Sequence, residues 1–161
     1  MLRVAVVLLA TTALGARPTF QDVLKKFPAS TLPITIKDLE KPATKLTSAD
    51  ADALGFLKDD SPQLATLRAW KKKPSEGEKK SLAPISSVQR NGHRLLLLRC
   101  DSEFPMGSSR ETFLLSYSDK GELLGGLTFH LELATEAGGA TNTSTLDQAG
   151  VISRLIKATT P

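Results

Sequence analysis

From residue 84 onward, apolar and polar positions fall into paired alternating runs, the pattern of antiparallel hairpins. Ile85 to Arg90 and His93 to Cys100 flank Asn91-Gly92, a dipeptide that tolerates the positive φ angles of a two-residue type I′ turn. The unbroken Leu95 to Leu98 predicts a central strand buried on both faces. Further on, Phe113, Leu115 and Tyr117 alternate with Thr112, Leu114 and Ser116, and Leu127, Phe129, Leu131 and Leu133 alternate with Thr128, His130 and Glu132. Between them, Ser118 to Glu122 reads as a hairpin loop, with Gly121 in the left-handed position and Asp119 supplying the turn oxygen. Turn chemistry accounts for each residue there and leaves none that requires an active-site rim. Gly125-Gly126 predicts a bulge or a close backbone approach, Gly138 to Ser144 a flexible loop, and Val151 to Ile156 a last strand.

The earlier part of the chain has a helical period. Thr19 precedes Phe20, Val23, Leu24 and Phe27, spaced for one amphipathic helix that Pro28 ends. Ile34-Thr35-Ile36 is a short β-branched run suited to a sheet edge. A second helix starts at Thr47 or Ser48, because Asp50 stands three residues after the threonine and Leu54 and Leu57 follow at helical spacing. Asp50 and Asp52 suit the positive end of that helix and need no metal. Ser61-Pro62 opens a third helix, with Leu64, Leu67 and Trp70 on one face, a strand being the alternative. The pattern as a whole predicts an α+β fold, with N-terminal helices packed on an antiparallel β-meander of four to six strands.

Residues 1–16, MLRVAVVLLATTALGA, place one Arg before an apolar core and a small-residue exit, the layout of a secretory signal peptide. The apolar stretch is shorter than the ~20 residues that span a bilayer. The expectation is therefore a secreted or periplasmic protein, not integral to the membrane after cleavage, with residues 17–161 forming one globular domain. The one cysteine, Cys100, allows no intramolecular disulfide and reads as a buried thiol.

The formal net charge of +4 conceals an asymmetry. Residues 17–99 carry sixteen Lys and Arg against nine Asp and Glu, whereas residues 100–147 carry two against eight. An aromatic content of 5% gives no base-stacking platform, so nucleic acid is not an expected partner. The strongest basic run is KKKPSEGEKK at 71–80, read as a mobile solvated loop. Trp70 with Lys71, Lys72, Lys73, Lys79 and Lys80 is the candidate binding set for an anionic surface.

Catalytic chemistry has weaker support. His93 and His130 would need a carboxylate such as Asp101, Glu103 or Glu132 in a cleft, and His130 reads as a surface residue on a polar strand face. No G-x-S-x-G, H-E-x-x-H, Walker or C-x-x-C signature occurs, and no cofactor or metal set is predicted. Asn142-Thr143-Ser144 fits a glycosylation sequon, relevant only to a eukaryotic secretory pathway.

The stretch FLLSYSDKGELLGGLTFHLEL with STLDQAGVISRLI after it, together with Phe27-Pro28 and Leu32-Pro33, resembles a loose group of uncharacterised secreted bacterial proteins. They share a hairpin of an apolar strand, Tyr, Asp-x-x-Gly-x-Leu and a second apolar strand. This chain departs from the pattern at Gly125-Gly126. The resemblance implies a bacterial envelope or extracellular setting and an antiparallel meander, and carries no activity across. The expected function is a noncatalytic binding or interaction module with an envelope protein as partner. The alternatives are a small envelope hydrolase using His and carboxylate chemistry, and a polyanion or membrane-surface binder acting through the Lys-rich loop.

Overall fold

The computed structural model describes residues 16–35 and 44–159. The expected signal peptide, apart from Ala16, and Ile36 of the β-branched run lie outside these residues. Six strands form one antiparallel sheet in sequential order: β1 (Lys79–Arg90), β2 (His93–Phe104), β3 (Gly107–Ser118), β4 (Leu123–Thr135), β5 (Gly138–Leu146) and β6 (Ile152–Thr159). Among the described residues, three short helices precede the sheet: α1 (Phe20–Leu24), α2 (Ser48–Leu54) and α3 (Ala65–Ala69). Two 3₁₀ turns, Phe56–Lys58 and Pro62–Leu64, lie between α2 and α3.

The described fold is thus mostly β, with less helix than the apolar periodicity suggests. The first helix stops at Leu24, and the chain tightens through Lys26 N–H to Val23 C=O and Phe27 N–H to Leu24 C=O. Pro28 disfavours helical backbone at Phe27, which explains the early end. Both N-termini are closed by reciprocal capping boxes, Thr19 with Asp22 and Thr47 with Asp50. Ser61-Pro62 opens a 3₁₀ turn before α3.

The Asn91-Gly92 hairpin forms as expected, with φ of 47° and 76° at the two residues. In the next predicted hairpin the turn oxygen differs. Ser118 Oγ accepts from Glu122 N–H, and Ser118 C=O accepts from Gly121 N–H, so Ser118 takes the role expected of Asp119. The segment expected as a loop at Gly138 to Ser144 is β5, held between β4 and β6 by pairing on both sides. Lys79 and Lys80 likewise belong to β1 and not to the Lys-rich loop.

Alternation divides the sheet between two apolar clusters. On one face, Leu82, Leu96, Leu98, Phe113, Leu115 and Tyr117 pack with Val23, Leu54, Phe56, Leu64 and Leu67 from the helical region. On the other, Ile85, Val88, Leu97, Leu114 and Phe129 pack with Ile34 and Leu146. Leu96, Leu97 and Leu98 are therefore buried on both faces, as the leucine run predicts. Tyr117 O–H donates to Leu54 C=O at 2.9 Å, and its ring lies 4.9 Å from that of Phe20.

The sheet is strongly coiled. β4 and β5 pair only from Leu131↔Asn142 to Thr135↔Gly138, after which β5 leaves β4. In a flat meander β1 and β5 would stand roughly 19 Å apart. Instead Arg90 Nη2 donates to Ala149 C=O at 2.6 Å, which brings the end of β1 to the β5–β6 turn. Residues 29 to 34 span the same gap: Ala29 bridges Ser87 of β1, and Ile34 bridges Leu146 of β5.

Candidate functional site

The coiling leaves two features with functional potential, a polar groove and an open strand edge. The groove, about 460 Å³, lies toward the β2–β3 turn and is lined by Lys45 and by residues of β1 to β4. Its charges neutralise one another. Asp101 accepts from Arg99 Nε and Arg110 Nε, each at 3.0 Å, and Arg110 Nη1 reaches Glu132 at 3.5 Å. The Asp101 carboxylate is thereby held between two guanidiniums. Ser81, Ser102, Ser108 and Ser109 add hydroxyls.

The edges of the sheet differ. β1 is covered at two points: Ser87 exchanges backbone hydrogen bonds with Pro28 and Ser30, and Leu46 N–H donates to Leu82 C=O. Among the described residues nothing pairs with the outer side of β6. Three of the five exposed large apolar side chains among the described residues lie at this strand: Val151 at 57%, Leu155 at 56% and Ile156 at 70%. Sheet edges are commonly shortened, charged or covered, so an open apolar edge is a place where another chain can pair.

The residues singled out in the sequence are distributed as follows. Trp70 is half-buried and packs against the first apolar cluster, with its indole N–H enclosed by protein. Lys71 pairs with Asp52 at 2.5 Å, and Lys80 pairs with Glu78 at 3.1 Å. Lys72, Lys73 and Lys79 are exposed. The set is therefore split between core packing, local ion pairs and solvated lysines.

His93 is exposed beside the Asn91-Gly92 turn, eight strand positions from Asp101, roughly 27 Å along β2. It does not meet Asp101 or Glu103. His130, expected at the surface, is buried at 6%. The cause is an irregularity between Thr112 and Phe113, where β4 gains a residue and Phe129 and His130 both turn inward.

Cys100 is buried, and burial followed by the nearby Glu111 and Asp101 charges pushes its thiol up to about 12. That is the opposite of an activated nucleophile. Burial also raises the Glu111 carboxyl, which stands opposite Cys100 in the register. Asn142 of the sequon lies in β5 with its Oδ1 enclosed. Among the described residues, no group of three or more His, Cys, Asp and Glu could hold a metal, and no helix is long and apolar enough to cross a membrane.

Two features escaped the sequence. The Arg99–Asp101–Arg110–Glu132 network depends on the turn at Pro105-Met106, which has no strong turn dipeptide. The only available signal was the alternation of charges in Arg99-x-Asp101-x-Glu103. The second feature, the open side of β6, depends on what does not pair with it. Comparison with protein-family models, with curated proteins and with solved structures finds no match.

Proposed function

We propose that this protein is a noncatalytic binding module, exported to the envelope or extracellular space, that engages its partner through the outer edge of β6. The observation that carries this reading is the contrast between the two sheet edges. β1 is covered by its own chain, whereas β6 presents Leu155 and Ile156 beside backbone groups that no described segment pairs. Strand addition at such an edge draws affinity from backbone hydrogen bonds and specificity from alternate side chains. The helices ahead of the sheet support the α+β arrangement by covering one face, which leaves recognition to the edge. Export rests on the character of residues 1–16.

The hydrolase reading gains no support from the geometry, because Asp101 and Glu132 face arginines, His93 lies at the far end of β2 and His130 is buried. The test is capture from envelope extract at low and high salt, comparing the purified protein with a Leu155→Ser/Ile156→Ser variant. The expected result is one partner that withstands high salt and is lost with the double variant. Retention unaffected by the variant, or only anionic material released by salt, would refute the edge as the binding element.

A further inference from the structure

We propose that the outer edge of β6 accepts, as a seventh strand, an extended peptide segment reading carboxylate, apolar, apolar, carboxylate. This inference rests on the binding-module reading and specifies the chemistry of its partner. The register with β5 puts Arg154 and Ile156 on one face of the strand, opposite Ser144 and Asn142. Leu155 and Lys157 lie on the other face, opposite Thr143 and Thr141. Each face of the edge therefore offers one cation and one apolar side chain, two residues apart.

A strand laid alongside places one residue opposite each of the four, since neighbours alternate faces. The complement of Arg154-Leu155-Ile156-Lys157 is the same four-residue pattern in either strand direction. Carboxylates lie at its two ends and apolar residues in the middle.

The charges are set for such a partner. Ile152 to Thr159 contains no carboxylate. Arg154 Nη2 donates to Thr128 C=O of β4 at 2.7 Å, so its guanidinium rests on the β5 side of the strand and meets an outer carboxylate by leaving that acceptor. Asp147, the nearest carboxylate along the chain, is engaged by Val151 N–H at 2.8 Å. A second copy of the chain fits poorly: two β6 strands side by side bring two Arg154 and two Lys157 together with no acid between them. No stretch of this sequence reads carboxylate, apolar, apolar, carboxylate, so the occupant is another protein.

The test uses two fluorescein-labelled peptides, TTEVVETT and TTKVVKTT, titrated with the purified protein and followed by fluorescence anisotropy. TTEVVETT is expected to bind about tenfold more tightly than TTKVVKTT, from two cross-strand charge pairs reversed in sign. Lys157→Glu, at an exposed position, should weaken TTEVVETT about threefold and strengthen TTKVVKTT. Equal binding of both peptides, lost in Leu155→Ser/Ile156→Ser, would overturn the charge pattern and leave the edge itself as the site. Binding of neither peptide, with a concentration-dependent dimer that Ile156→Lys dissociates, would overturn the proposal in favour of self-pairing. Binding of neither peptide by a monomer would overturn both the proposal and the docking reading beneath it.

Discussion

Asp50 shows how a residue can be legible in one role and hidden in another. Its capping role follows from Thr47-Ser48-Ala49-Asp50, because both partners lie within one helical turn. Its second partner does not follow, because Lys26 Nζ comes from 24 residues away, 2.8 and 2.7 Å from the carboxylate oxygens. Burial raises the Asp50 carboxyl, but hydrogen bonds from Lys26 and Thr47 outweigh it and hold the group below its ordinary 3.8. A depressed carboxyl stabilises the fold fully above its unfolded value, and the contribution is lost as pH falls through the lower folded value. Asp50→Asn should therefore cost about 2 kcal/mol at pH 7, with the deficit shrinking as pH falls from 4 toward 2. Urea unfolding of both proteins across that range checks this, and a deficit independent of pH would contradict it. His130 is the opposite case: strict alternation put it at the surface, and one extra residue in β4 turned it inward.

At the level of elements, hairpins with strong turn dipeptides were readable and pairings imposed from outside were not. Asn91-Gly92 and the Ser118–Glu122 bend carry their own turn chemistry. β5, by contrast, is rich in Gly, Asn and Thr at Gly138 to Thr145 and has little apolar alternation; its strand state comes from neighbours on both sides. The Gly125-Gly126 pair shows the expected close approach at Gly126, and the expected bulge falls just before it, at Leu124, where the register shifts between Ser116 and Tyr117. A methyl at Gly126 would lie 2.6 Å from Leu115 Cδ2, 3.0 Å from Leu64 Cδ2 and 3.1 Å from the Leu114 carbonyl oxygen. Gly126→Ala should therefore destabilise by about 1–3 kcal/mol, because β4 must move away from both β3 and the 3₁₀ turn at Pro62–Leu64. An unfolding midpoint equal to that of the native protein would show that this approach is not constrained.

Across the whole molecule, the meander and its two-sided core were visible in the alternation and in the leucine run, but the coiling was not. Coiling depends on contacts between distant segments, such as Arg90 with Ala149 and Ile34 with Leu146, and these leave no local mark on the sequence. The same contacts cover the β1 edge, and among the described residues they leave the outer side of β6 without a pairing strand. The groove, the Lys-rich segment and the β6 edge make different predictions about where a partner protects the backbone. Amide hydrogen exchange of the protein alone and of the complex captured from envelope extract separates them directly. Slowed exchange is expected in β6 from Ile152 to Thr159, with residues 71–78 and the groove strands unchanged. Protection at 71–78 or around Asp101 and Arg110, with β6 exchanging as in the free protein, would contradict it.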